Sequence, residues 1–221
     1  MRIGLFGGTF NPIHLGHLKT IGEVRDAFSL DQVVLIPAAI PPHKPARDMA
    51  GTEDRMAMVR LAAAGRQGLA ACDVEIQREG VSYSIDTVDH FQRTQAPETE
   101  LFFIVGVDAF LEIDTWKAHD KLLERLPFIV MTRPDAGRLD LDGQHEALGV
   151  FLHDRLSGGY RYDPARKAFV HNRKQPLYVL EVTPVDISST RIRDRIRKGR
   201  PISDLVPGSV HDYIHQRGLY Q

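Results

Sequence analysis

Gly7-Gly8-Thr9-Phe10-Asn11-Pro12-Ile13-His14-Leu15-Gly16-His17 is the stretch on which the reading of this chain turns. It follows a short apolar run, Arg2 to Phe6, that reads as a strand ended by the glycine pair. It leads into Leu15, Leu18, Ile21 and Val24, spaced about three apart as on one face of a helix. At a strand-to-helix turn of this kind, backbone N–H groups and the positive helix end face the carboxyl edge of the sheet, where α/β folds bind ligands. Glycines let a phosphate approach the backbone closely. Thr9 adds a hydroxyl donor, and His14 and His17, three apart, share one face at the helix start. Two imidazoles beside N–H donors make a cradle for a triphosphate. Taken alone, His-x-x-His is equally a surface pair or a metal pair. The spacing is neither that of a P-loop nor that of the dinucleotide fingerprint.

Working outward, strands and helices alternate. Gln32 to Ile36, Glu100 to Val105, Phe128 to Thr132 and Leu177 to Val182 are nearly continuous apolar runs, as expected of strands buried on both faces of a parallel sheet. Cys72 to Ile76 is a weaker strand candidate. Thr52 is expected to cap a helix running through Ala64, with Glu53 and Asp54 in its first turn. Ser84 is expected to cap a helix carrying Ile85, Val88 and Phe91. Further helices are predicted over 118–126, 189–198 and 209–217. This order predicts an α/β fold, a Rossmann-like doubly wound, mostly parallel sheet with helices on both faces.

The rhythm breaks over 135–175, a stretch rich in Gly, Asp, Arg and His. A structureless loop of that length is unusual in a compact domain, so the segment reads as an insertion before the last strand. Within it, Tyr160-Arg161-Tyr162 and Ala168-Phe169-Val170 flank Asp163-Pro164 as a hairpin would. Residues 1–221 are then one domain carrying one insertion.

Composition narrows the function classes. The chain has 221 residues, 28 basic and 29 acidic, for a net charge of −1. That balance argues against a protein whose main task is coating nucleic acid or a membrane surface. A single cysteine, Cys72, excludes an intrachain disulfide and a cysteine-rich zinc site and fits a cytoplasmic setting. No apolar run approaches the ~18 residues of a membrane span.

Other segments carry chemistry beside a bland alternative. In Ile187-Ser188-Ser189-Thr190-Arg191-Ile192-Arg193, a serine caps a helix whose first N–H groups form a second anion site, and Arg193 adds a forked donor. The alternative is a capped basic surface helix. Pro41-Pro42-His43-Lys44 is a rigid loop that could present a lysine. In Gly106-Val107-Asp108, glycine permits close backbone approach and Asp108 could hold a ribose hydroxyl or a metal-bound water. Tyr83-Ser84-Ile85-Asp86-Thr87 opens a helix whose free N–H groups suit a carboxylate. Trp116, the sole tryptophan, offers a face to an aromatic ring, though a lone tryptophan is more often core.

Together these motifs resemble a known family. His14-Leu15-Gly16-His17 matches the His-x-Gly-His box of the nucleotidyltransferases that share their fold with class I aminoacyl-tRNA synthetases. The full string from Gly7 to His17 looks like that of bacterial nicotinate-nucleotide adenylyltransferases, with Asn11 where many members carry Asp. The string from Ile187 to Arg193 resembles the family's Ile-Ser-Ser-Thr-x-x-Arg motif. The resemblance spans Ile3 to Tyr213 and implies joining of ATP and nicotinate mononucleotide into nicotinic acid adenine dinucleotide, with release of pyrophosphate. It implies His14, His17, Lys44 and Arg193 as catalytic groups. It implies ATP contacts at Gly7, Gly8, Thr9, Phe10, Gly106, Asp108, Arg133, Ile187, Ser188, Ser189 and Thr190. Ser84, Thr87 and Trp116 would face nicotinate mononucleotide. Mg²⁺ enters with the ATP rather than through direct protein ligands, and the resemblance leaves association of like chains open. A histidine beside a polyanion is expected to have its charged form favoured.

Overall fold

The computed structural model describes residues 1–40, 48–78, 80–132, 141–156 and 158–221. In chain order the elements are β1 (Arg2–Gly8), α1 (Leu15–Ala27), β2 (Gln32–Pro37), α2 (Thr52–Ala63), β3 (Leu69–Ala71), a helical turn α3 (Val74–Gln77) and α4 (Ser84–Thr94). There follow β4 (Glu100–Gly106), a short α5 (Val107–Phe110), a 3₁₀ turn at Ile113–Thr115, α6 (His119–Arg125) and β5 (Phe128–Thr132). The chain closes with α7 (Leu141–Asp154), β6 (Arg161–Asp163), β7 (Ala168–Val170), β8 (Leu177–Glu181), α8 (Ser189–Arg197) and α9 (Gly208–Gln216).

These strands form one eight-stranded sheet in the order β3-β2-β1-β4-β5-β8-β7-β6. It is parallel from β3 to β8, and the hairpin β6–β7 continues it antiparallel, Phe169 lying opposite Leu177. The expected doubly wound α/β sheet is therefore present. Strand alternation sends neighbouring residues to opposite faces. Phe6, Val33, Leu35, Phe102, Ile104 and Met131 join one core with α1, α2, α8 and α9. Leu5, Val34, Ile36, Phe103, Val105 and Val130 join the other with α4, α6 and α7. Each fully buried side chain of this kind contributes about 1.5–3 kcal/mol. Gly4 has no room for a side chain, since a Cβ there would lie 2.5 Å from Ile104 and 2.9 Å from Leu30.

Three local expectations are corrected. The third strand is Leu69–Ala71, not 72–76. The ladder with β2 ends where Cys72 N–H donates to the Leu35 carbonyl, and the Asp73 carbonyl then accepts from the Ile76 and Gln77 N–H groups, closing a helical turn. Thr52 and Ser84 are the first helical residues rather than caps. Gly51 and Tyr83 hold the non-helical cap positions, neither making a side-chain cap bond. The hairpin expected around Asp163-Pro164 is found at β6–β7. The helix α7, not anticipated, lies in the same stretch, and Leu148, Leu152 and Leu156 from it and just beyond it pack with Phe169.

The topology sets the place of the site. From β1 the chain winds to β2 and β3 on one side, then crosses to β4 and β5 on the other. The carboxyl ends of adjacent β1 and β4 thus flank a crevice at the switch point, the usual ligand position in open α/β sheets. Among the described residues no helix is long and apolar enough to cross a membrane.

Candidate active site

After β1 the chain turns through Phe10, a non-glycine residue at φ 47°. Its ring is buried and packs edge-on against Phe6 and His17, with centroids 5.8 and 5.3 Å apart. Gly8 is required by this turn: a Cβ there would meet the Phe10 ring at 3.0–3.3 Å. Gly7 and Gly106, by contrast, have no described atom within 4 Å of where a Cβ would project, at the crevice.

The two histidines cap their own helix. His14 occupies the N-cap position of α1, and its Nδ1 accepts the His17 N–H at 3.3 Å, while His17 Nδ1 accepts the His14 N–H at 3.3 Å. The rings stack with centroids 3.6 Å apart. A ring nitrogen that accepts a backbone N–H carries no proton, so the neutral tautomer has its hydrogen on Nε2. The cap bonds therefore leave Nε2 of each ring as the nitrogen able to donate beyond the turn. Gly16 makes room for this stack: a Cβ there would lie 3.0 Å from His14 Nδ1 and 3.1 Å from its Cε1. The glycine of the His-x-Gly-His box thus has a packing reason.

The second turn is fastened to the first. Ser188 caps α8 by accepting the Arg191 N–H at 3.2 Å. Ser189 Oγ donates to the Pro12 carbonyl at 2.9 Å, and Arg193 Nη1 donates to the Asn11 carbonyl at 2.9 Å. Arg193 Nη2 lies 3.4 Å from Thr190 Oγ1, and its Nε is buried with no hydrogen-bond partner among the described residues. A cavity of about 540 Å³ opens between the turns. Gly7, Gly8, Thr9, Phe10, His14 and His17 line one wall. Ile187, Ser188, Ser189, Thr190 and Arg193 line the other, with Gly106 and Asp108 between. Residues from the two ends of the chain thus share one enclosure at the carboxyl edge of β1 and β4. Asp108 is the carboxylate among the described lining residues, in the first turn of α5.

A second cavity of about 290 Å³ adjoins the first across Phe6, Gly7, Gly8, Thr9 and Gly106. Ser84 and Trp116 line it. The Trp116 ring meets Phe103 edge-on at 6.0 Å, leaving the indole partly buried. Thr87 is buried and stands behind the cavity wall, where its hydroxyl donates to Glu75 Oε1 at 2.7 Å. It is the one described candidate that borders neither cavity. Lys44 and Arg133 lie outside the described residues.

Sequence reasoning missed several neighbours of this site. Glu75 and Lys117 line the second cavity, Lys117 also pairing with Asp86 at 3.3 Å. Arg55 is fully buried and donates to the carbonyls of Thr9, Ala38, Ala39 and Ala50. Burial pulls its pKa below the usual arginine value, with the nearby Tyr220 opposing. A signal for Arg55 was present: it shares the helical spacing of Met58, Val59 and Ala62 on the buried face of α2. Glu75 and Lys117 belong to no periodic pattern.

The fold and the site define an open α/β protein with a switch-point crevice walled by two strand-to-helix turns, and residues 5–195 match the model of the cytidylyltransferase-like family. The chain is 44% identical over 223 residues, the whole of both chains, to the "Probable nicotinate-nucleotide adenylyltransferase" of Desulfatibacillum aliphaticivorans. It is 41% identical over 220 residues to the protein of the same name from Geobacter sulfurreducens, covering 100% of this chain and 98% of that one. Its fold is similar to that of the Plasmodium falciparum nicotinic acid mononucleotide adenylyltransferase complexed with NaAD, with a TM-score of 0.70 at 16% identity over 99% and 97% of the two chains. The chain belongs to the cytidylyltransferase-like family, among its nicotinate-nucleotide adenylyltransferases.

Proposed function

We propose that this chain joins ATP and nicotinate mononucleotide, giving nicotinic acid adenine dinucleotide and pyrophosphate, as a step of NAD biosynthesis. The observation that carries this reading is the single cavity walled by the His14–His17 turn and the Ser188–Arg193 turn, with a smaller cavity bearing Trp116 beside it.

The chemistry asks little of a side-chain nucleophile. The attacking group is a phosphate monoester, already close to a dianion at neutral pH because its second pKa is about 6. The barrier lies in aligning two anions and neutralising the leaving pyrophosphate, so positioning and electrostatics supply the catalysis. In this reading the backbone of Gly7, Gly8 and Thr9 and the start of α8 cradle the triphosphate. His14 and His17 donate from Nε2, and Arg193 and Lys44 supply positive charge. Ser84, at the start of α4, and Trp116 receive the acceptor, the indole stacking on the pyridine ring and helix N–H groups meeting the carboxylate. Thr87 acts through Glu75 rather than by direct contact.

ATP enters as its Mg²⁺ complex, the ion being part of the substrate. Among the described residues no group of three or more His, Cys, Asp or Glu side chains is arranged to hold a metal. Asp108 reaches such an ion through water or holds a ribose hydroxyl. We read residues 1–221 as one nucleotidyltransferase domain with 135–175 inserted in it, since β6 and β7 extend the same sheet. A cytoplasmic setting belongs to this reading, supported by the single cysteine.

The test is magnesium-dependent pyrophosphate release from ATP with a panel of phosphate acceptors: nicotinate mononucleotide, nicotinamide mononucleotide, phosphopantetheine and glycerol phosphate. Release with nicotinate mononucleotide well above the others is expected. Equal or greater release with another acceptor overturns the reading.

A further inference from the structure

We propose that Tyr220, next to the last residue, is a positioning residue for the triphosphate-binding turn, acting through Asn11. The Tyr220 hydroxyl donates to Asn11 Oδ1 at 2.8 Å, bridging 209 positions of sequence. Asn11 is a buried junction: its Oδ1 also accepts the Ala50 N–H at 3.0 Å, and its Nδ2 donates to the Asp48 carbonyl at 3.0 Å. The main-chain carbonyl of the same residue is the one that Arg193 grips at 2.9 Å. A shift of Asn11 therefore moves both the turn after β1 and the arginine across the cavity. One side chain from the end of the chain holds the junction that the two walls share.

The local chemistry agrees. Tyr220 sits at φ 69°, in the left-handed region, at a steric cost to a non-glycine residue. The hydroxyl contact and the packing of Leu219 and Tyr220 against the first core offset that cost. The groups facing the phenol are Arg193, Arg55 and Asp54, and burial, the largest influence, raises its pKa above the ordinary value. The hydroxyl thus remains a donor at neutral pH. Arg55, beside the phenol, grips the Thr9 carbonyl of the same turn at 2.9 Å. Tyr220 at Asn11 and Arg55 at Thr9 both hold the turn, and neither lines the cavity.

The kinetic part of the test rests on the proposed reaction, whereas ATP binding does not. In the full chain, Tyr220→Phe should raise the calorimetric Kd for ATP about fivefold and lower kcat about tenfold, since small displacements in such sites are costly. The KM for nicotinate mononucleotide should stay within twofold. Tyr213→Phe is the comparison: it removes a similar hydroxyl bond, from α9 to Asp54 at 2.9 Å, that does not touch the turn. It should leave ATP affinity and kcat unchanged. Adding Tyr220→Phe to Asn11→Ala should cause no further loss. The proposal is overturned by wild-type ATP affinity and turnover in Tyr220→Phe, by equal losses in Tyr213→Phe, or by additive losses in the double variant. If the wild-type chain binds ATP but releases no pyrophosphate with nicotinate mononucleotide, the functional reading fails and ATP affinity alone decides the role of Tyr220.

Discussion

The Ser189 hydroxyl donates to the Pro12 carbonyl at 2.9 Å across 177 positions of sequence. This bond joins the two walls of the larger cavity directly, and Arg193 on the Asn11 carbonyl makes a second tie. The two turns therefore form one preorganised unit. Losing Ser189 Oγ should cost about 0.5–1.5 kcal/mol of stability and loosen that unit. Ser189→Ala is expected to raise the KM for ATP several-fold with the KM for nicotinate mononucleotide unchanged. Steady-state kinetics with each substrate varied in turn checks this, and an unchanged KM for ATP would remove Ser189 from the clamp.

His17→Ala should lower kcat roughly 10²–10³-fold, the usual effect of removing one preorganised donor to developing charge. Loss of its part in the cap should cost only ~0.5–2 kcal/mol, so circular dichroism should show an intact fold. Turnover near that of the wild type would exclude His17 from the mechanism.

Gly16→Ala separates stability from activity. Alanine favours a helix over glycine by up to about 1 kcal/mol, but the added Cβ would press on the His14 ring at 3.0–3.1 Å. The expected result is a folded chain, checked by circular dichroism, with kcat reduced about tenfold. Unchanged kcat would show that the stacked histidine geometry is not needed.

Trp116→Ala should raise the KM for nicotinate mononucleotide about tenfold, from loss of stacking and ring burial, and leave the KM for ATP within twofold. The helix N–H groups at Ser84 favour a carboxylate, so kcat/KM should be higher for nicotinate than for nicotinamide mononucleotide. Equal values for the two acceptors would contradict that assignment.

Chelation offers a fifth check. Excess EDTA should abolish pyrophosphate release, and added Mg²⁺ should restore it while the melting temperature without ATP stays constant. A chelator-induced loss of fold would instead indicate a metal held by the protein itself.

Local pattern made most of the framework readable. The buried strands announced themselves as runs such as Val33-Val34-Leu35-Ile36 and Phe102-Phe103-Ile104-Val105, because a strand covered on both faces has no polar positions to spare. The His-x-Gly-His and Ser-Ser-Thr strings were legible because each is a short contiguous unit at a strand-to-helix turn. Helix starts at Gly51 and Tyr83 were misplaced by one residue, since the cap is decided by backbone conformation and not by the nearest hydroxyl. Helix α7 was missed although Leu148, Leu152 and Leu156 recur four apart, because they lie within a stretch rich in Gly, Asp, Arg and His, while the hairpin beside it kept a clear strand pattern.

Sequence alone thus made legible the class of fold, the two strand-to-helix turns that wall one cavity and the tryptophan that lines the adjoining one, because each is carried by a short contiguous run. Tertiary structure alone decided that the histidines cap each other, that Thr87 turns to Glu75, and that Asn11, Arg55 and Tyr220 support one turn. Apart from the histidine pair, three positions apart, those relations depend on bonds between residues separated by 12 to 209 positions. A buried donor or acceptor must find a partner wherever packing brings one, and no local spacing records where that is.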